Sequence, residues 1–215
     1  MKRLVILGAG KFSLEIASYL AESELSGLAD TALHLAVGDE TVCAERVAGR
    51  VDDHGPDREA GYVLGVSDPA ERARLIEGFI GRHQLELPPV VHRTAVVGSG
   101  VRQGPGNVIG PHCYVGVNVQ LGAFNVLNAL CSVGHHSVIG DDNFFAPDVH
   151  LGNSVEIGHH NLFGIGVVVI HEIAIGDFNR VQAGTVLAEP LESGDLVMGT
   201  AALKRVGLYR RKQNG

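Results

Sequence analysis

The stretch from Val97 to Val186 carries a six-residue rhythm. Val97, Ile109, Val115, Leu121, Leu127, Val133, Ile139, Leu151, Ile157, Val169, Ile175, Val181 and Leu187 share one register, and Gln103, Phe145 and Phe163 fill its other slots. Glycine usually follows, at Gly98, Gly104, Gly110, Gly116, Gly122, Gly134, Gly140, Gly152, Gly158, Gly164 and Gly176. Four positions after each aliphatic residue stands a small or β-branched one, such as Asn107, Cys113, Asn125, Cys131, Ser137 or Asn143. A helix cannot carry a six-residue period with glycine in every turn, and a hairpin sheet would alternate in twos. The period predicts a parallel β-helix in which each hexad is one short strand plus a corner. Three hexads close a triangular coil, so residues eighteen apart stack. The aliphatic side chain points inward, and glycine or asparagine is expected at or near the left-handed corners.

Ahead of the repeat the pattern changes. Arg3 to Leu7 is a short apolar strand running through Gly8-Ala9-Gly10-Lys11 into an amphipathic helix with Leu14, Ile16, Ala17 and Leu20 inward. Leu33 to Val37 reads as a second strand ending at Gly38-Asp39-Glu40, residues 41–60 as a polar loop, and Tyr62 to Val66 as a third strand. Ser67-Asp68-Pro69 starts a helix that runs to about Gly81. Its inner face is Ala70, Ala73, Leu75, Ile76 and Phe79, with Glu71, Arg72 and Arg74 outside. Strand, glycine turn and helix open a Rossmann-like, nucleotide-binding α/β unit. Ser13 stands where the third fingerprint glycine belongs, so Gly8 and Gly10 serve either a phosphate-handling loop or only a tight turn. Leu87-Pro88-Pro89 breaks the chain into two domains, 1–88 and 89–215.

Composition narrows the class. The chain has 215 residues, 45% apolar and 19% charged, as in a globular protein. Aromatics are 5% and tryptophan is absent, which suits a coil lined with small aliphatics. A formal charge of −7 argues against nucleic acid as the main partner. Nothing reads as a signal peptide or a membrane span. Cys43, Cys113 and Cys131 lack metal spacing; the last two fall on corners eighteen apart and are expected to stack as free thiols in a reducing cytosol.

Histidine concentrates in the coil, at His112, His135, His136, His150, His159, His160 and His171. His135 and His171 share a hexad position but lie two coils apart with Asn153 between them, so no metal site is expected. A neutral imidazole near pH 7 instead suits a general base for attack on a thioester.

The hexads resemble the left-handed β-helix of the hexapeptide-repeat acyltransferases, and the whole chain resembles the NeuD/PglD-type acetyltransferases of bacterial sugars. The resemblance implies a small α/β domain that binds a sugar nucleotide and a β-helix that trimerises and binds acetyl-coenzyme A, with active sites at subunit interfaces. It implies a cytoplasmic N-acetyltransferase acting on a nucleotide-linked amino sugar in surface-glycan synthesis. The alternatives are a sugar or sialic acid O-acetyltransferase, or a non-catalytic trimeric ligand-binding member. The string Val133-Gly134-His135-His136-Ser137-Val138-Ile139-Gly140 is similar to the family's V-x-H-[DE]-C-x-I-G. That places His135 on the catalytic position and His136 in place of the acid that orients it. Phe144 stands where the family often has a histidine near the acetyl group. Lys11 and Phe12 depart from G-x-G-G-H, and residues 199–204 lack the proline of the family's ending. By the same resemblance, coenzyme A lies against Phe144, Gly164, Gly166, Ala183, Gly184 and Lys204, with Arg180 and Arg205 near its phosphates. The nucleotide sugar lies against Gly8, Gly10, Lys11, Asp39 and Ser67, with Asp39 facing the base.

Overall fold

The computed structural model describes residues 3–30, 32–37, 46–85 and 87–199. From Val90 onward each hexad contributes a two-residue strand. The strands form three parallel sheets of seven, six and five strands, each paired with the strand eighteen residues on, except that Arg180–Val181 pairs with Leu196–Val197, sixteen residues on. They are the three faces of a prism. The seven-strand face begins at Val90–Val91, the six-strand face at Val96–Val97 and the five-strand face at Arg102–Gln103. The aliphatic register is the interior: Ile109, Val115, Leu127, Val133, Phe145 and Phe163 are almost wholly buried. Phe145 and Phe163 stack at 4.9 Å with planes 10° apart, one coil above the other.

Two devices build the corners, and neither is glycine in a left-handed turn alone. The left-handed residue lies three positions after the aliphatic one. It is glycine at Gly100, Gly106, Gly166, Gly184 and Gly194, but a side-chain-bearing residue at others, among them His112, Asn118, His136, Asp142 and His160. The glycine that directly follows the aliphatic residue is there for space. A Cβ on Gly134 would lie 2.4 Å from the Gly152 carbonyl oxygen of the next coil. Along the edge between the five- and seven-strand faces runs a buried ladder of Asn107, Asn125, Asn143, Asn161 and Asn179. Each side-chain Oδ1 accepts the backbone N–H of the residue one coil on, at 2.7 to 3.0 Å. These contacts satisfy buried corner amides that the strands leave unpaired.

The N-terminal layer is a four-stranded parallel sheet of β1 (Arg3–Leu7), β2 (Leu33–Ala36), β3 (Val47–Arg50) and β4 (Ala60–Leu64), in the order β3-β2-β1-β4. Strand β3 lies inside the stretch expected to be a loop, and β4 begins two residues before Tyr62. Helix α1 (Lys11–Ala21) buries Ser13, Ile16, Tyr19 and Leu20, while Leu14 is exposed, contrary to expectation. A small side chain at Ser13 lets the helix sit against Gly65, and Tyr19 takes the inward place beside Leu20. The short helix α2 (Ser26–Ala29) follows, and helix α3 (Pro69–Ala73) continues through a π-helical segment, Arg74–Ile80, to His83, two residues beyond the expected stop, and ends at left-handed Gln84.

The two layers share a core. Val90, Val108, Val126 and Phe144, on the outer side of the seven-strand face, pack with Ile16, Tyr19 and Leu20. Phe12 meets Phe144 edge-on at 5.4 Å. The Tyr19 hydroxyl lies 2.6 Å from both Asn128 Oδ1 and Glu15 Oε1. Arg72, expected on the solvated face of its helix, is fully buried. Its guanidinium donates to Asp142 Oδ1 at 2.8 Å, to the Val66 carbonyl at 3.0 Å and to the Phe124 carbonyl at 2.5 Å. Burial pushes the Arg72 pKa down and Asp142 opposes that. The partner lies on the β-helix, which is why the charge turns inward.

Candidate active site

A cavity of about 470 Å³ opens at the ends of β1 and β4, lined by Gly8, Gly10, Lys11, Phe12, Ser67 and neighbouring residues. Two loops meet there. Gly8 has φ +137°, and a Cβ on it would lie 2.5 Å from the Gly65 carbonyl oxygen, so only glycine lets the loops approach this closely. The buried imidazole of His34 donates from Nδ1 to the Gly8 carbonyl at 3.0 Å, and burial lowers its pKa. Helix α1 starts at Gly10 with no side-chain cap and no acid in its first turn. Its leading N–H groups therefore make an anion-favouring end beside the cavity. Asp68 is committed elsewhere: its Oδ1 caps α3 by accepting from the N–H groups of Ala70 and Glu71 at 3.0 Å. Ser67 is exposed at the rim. The structure thus gathers Gly8, Gly10, Lys11 and Ser67 around one cavity. Asp39, and Lys204 and Arg205 of the cofactor set, lie outside the described residues.

His135 and His136 stand on the edge between the six- and five-strand faces, both exposed. His136 is the left-handed corner residue, with φ 60°. The turn sets the two rings almost perpendicular, 89° apart with centroids at 5.1 Å, and brings Nδ1 of each within 3.0 Å of the other. His135 is therefore oriented by His136 itself, which stands where the resembled family has an acid. On its far side His136 Nε2 lies 3.1 Å from the Asn118 side-chain amide nitrogen, one coil earlier. Asn118 was not singled out from the sequence. The signal that finds it is the eighteen-residue stacking: Asn118 and His136 occupy the same corner position. Asn118 and His136 also border a groove with Gly100, Arg102 and Gln120.

Gly164, Gly166, Ala183 and Gly184 lie on another edge, between the seven- and six-strand faces. One six-residue side of the prism, up to about 20 Å of chain, separates them from His135. Phe144 is on neither edge; its ring is half-buried in the layer shared with Phe12. The six-strand face between the two edges presents Val96, Tyr114 and Val186, each about half exposed or more. Its polar residues answer one another: the Ser132 hydroxyl is 2.8 Å from His150 Nδ1, and His150 Nε2 donates to Asp148 Oδ1 at 3.0 Å. Among the described residues no group of three or more histidine, cysteine, aspartate or glutamate side chains is placed to hold a metal ion. None of the helices there is long and apolar enough to cross a membrane.

The fold is shared with solved structures of acetyltransferases. The acetyltransferase domain of PglB from Neisseria gonorrhoeae, in complex with acetyl coenzyme A, superposes with a TM-score of 0.79 at 21% identity, over 90% of this chain and 94% of that one. A histidine-to-asparagine mutant of perosamine N-acetyltransferase from Caulobacter crescentus, in complex with CoA and GDP-perosamine, gives 0.77 at 22% identity, over 89% and 90%. WeeI from Acinetobacter baumannii gives 0.77 at 20% identity, over 89% and 94%. No family model and no curated protein matches the chain.

Proposed function

We propose that the protein is an acetyl-coenzyme A-dependent N-acetyltransferase acting on a nucleotide-linked amino sugar. The observation that carries the reading is His135, held outward on a β-helix corner with Nδ1 tied to His136 and Nε2 left for a substrate. The neighbours with acetyl coenzyme A, or with CoA and GDP-perosamine, support that chemistry. His135 Nε2 takes the proton from the sugar amine as its nitrogen attacks the thioester carbonyl, and the coenzyme leaves as thiolate. We read the N-terminal sheet as a Rossmann-like unit whose cavity takes the nucleotide, with phosphates toward the Gly10 end of α1 and Lys11. Asp39 is assigned to the base and Ser67 to the rim.

Assembly completes the site. We read the six-strand face as the one packed around a threefold axis. It is the more apolar of the two faces that the N-terminal layer leaves uncovered, and Ser132, His150 and Asp148 satisfy one another there, so their burial costs little. In such a ring one edge of the face meets the other edge of the next copy. His135 of one chain then faces Gly164, Gly166, Ala183 and Gly184 of its neighbour, which a single chain holds a full side apart. Cys113 and Cys131 are buried free thiols, which fits a reducing cytosol.

The test is a thiol-release assay with acetyl-coenzyme A and a panel of nucleotide amino sugars, with mass by light scattering alongside. Release that depends on one amino sugar, from a trimer, is the expected result. An intact trimer that binds coenzyme A and releases no thiol on any acceptor makes the protein a non-catalytic binding member. A monomer at micromolar concentration overturns the shared site.

A further inference from the structure

We propose that Asn118 is a positioning residue that selects the tautomer of His135, acting through His136. The inference rests on reading His135 as the base, and its evidence is a continuous wire. The Asn118 amide nitrogen is 3.1 Å from His136 Nε2, and His136 Nδ1 is 3.0 Å from His135 Nδ1. A neutral imidazole has one N–H and one lone pair, so fixing one ring nitrogen fixes all the others along the wire.

As seated, the Asn118 amide N–H donates to His136 Nε2. His136 then carries its proton on Nδ1 and donates it to His135 Nδ1. His135 is left with its proton on Nε2, the atom that faces substrate. In this state His135 is a hydrogen-bond donor and not a base. Turning the amide end for end reverses every bond. Asn118 Oδ1 accepts from His136 Nε2–H, His136 Nδ1 accepts from His135 Nδ1–H, and His135 Nε2 presents a lone pair to the amine. No proton is gained or lost by the wire between the two states; each ring proton changes nitrogen. The amide has room where it stands. Asn118 Oδ1 occupies the place beside Gly100 in which a Cβ would lie 2.3 Å away, so the absent side chain at residue 100 is what seats it. The left-handed backbone of Asn118, φ 58°, is one that asparagine adopts readily.

The missing acid of the corner is thus replaced by an amide one residue further along the wire, and an amide can face either way. A carboxylate cannot donate. Asn118→Asp therefore holds His136 as the donor at Nε2 and fixes His135 in the base form, whereas Asn118→Leu removes the selector. Long-range proton–nitrogen NMR on histidine-labelled protein at pH 8, without substrate, reads each ring's tautomer, with His135→Gln and His136→Gln assigning the signals. The expected wild-type signature is an Nε2-protonated His135. In Asn118→Asp it becomes Nδ1-protonated, and kcat rises about tenfold, as for a competent state held at roughly a tenth of the population, with KM for the sugar unchanged. Asn118→Leu gives mixed tautomers and a kcat between those of the wild type and Asn118→Asp. A His135 tautomer identical in wild type, Asn118→Asp and Asn118→Leu overturns the proposal. A tautomer that moves as stated while His135→Ala keeps full activity leaves the wire standing and removes His135 as the base, so the two readings fail separately.

Discussion

His135-His136 and His159-His160 are the same dipeptide at the same two hexad positions on different edges of the prism, and their surroundings have little in common. The second pair is enclosed by acids. The His159 backbone N–H donates to Asp177 Oδ1 at 2.7 Å, and its Nδ1 accepts from the Asp141 N–H at 2.9 Å. His160 lies with Nδ1 3.2 Å from Asp142 Oδ2 and its ring stacked on Phe178 at 4.8 Å. That aspartate is the one bound to buried Arg72, so the pair belongs to the seam between the two layers. The first pair has only an amide behind it and solvent in front. Identical residues in identical turns thus sit in an acid-lined seam on one edge and on an open, exposed corner on another, and the neighbours one coil away make the difference.

The largest effect expected from this contrast is on turnover. At pH 6.5 His135→Ala is expected to lower kcat about 10²–10⁴-fold, the usual range for a lost general base. His159→Ala should stay within about threefold, since a structural imidazole makes no transition-state contact. The His135 loss should shrink toward pH 8, where more of the amine is neutral and attacks unaided. Thiol release measured on both variants decides it, and equal losses would erase the distinction between the edges.

The seam answers to stability. Asp142→Ala leaves the Arg72 charge buried without its partner and should cost about 3–5 kcal/mol in chemical denaturation. The double change Arg72→Met with Asp142→Leu should recover most of it. If Asp142→Ala unfolds no more easily than the wild type, the two layers are not held by this pair.

A smaller effect separates the cavity from the coil. Asp39→Ala should raise KM for the nucleotide sugar about tenfold, the worth of one charge-assisted hydrogen bond, with less change in kcat and little in acetyl-coenzyme A kinetics. A sugar KM that does not move would place the base elsewhere.

The smallest is a pH effect confined to the N-terminal layer. Burial holds the His34 pKa below its ordinary value near 6.5. As pH falls through that value the unfolded chain takes the proton first, so His34's contribution is present above pH 6.5 and is lost below it. Melting temperature should drop by a few degrees between pH 7 and 5, and His34→Gln should flatten part of that slope. An identical slope in the variant would rule His34 out as its source.

Much of this was legible in the sequence, for physical reasons. The coil interior admits one aliphatic residue per hexad, so the register from Val97 to Leu187 shows the prism directly. His135, singled out by its motif, stands exposed on a corner beside His136. Arg72 was misread because the charge rule for a helix face knows nothing of a partner seventy residues along the chain. Strand β3 was missed because it is an edge strand, mostly exposed, with Gly49 at φ +155° and no alternation to betray it. The corner glycines were credited with left-handed turns when most of them only clear the next coil. Asn118 was passed over because its role exists only across coils, where linear spacing is not adjacency.

The eighteen-residue coil also sets the terms on which the gene can change length. Adding or removing a whole coil within the prism shifts everything beyond it by one strand spacing, about 4.8 Å, and leaves every column facing its old direction. A change of six residues turns the later edges by a third of a revolution and breaks the columns that stack across the change. Other lengths place aliphatic residues in solvent. Lineages of this fold are therefore expected to differ in steps of eighteen inside the prism, with irregular insertions confined to the ends and to loops that leave a corner and return to it.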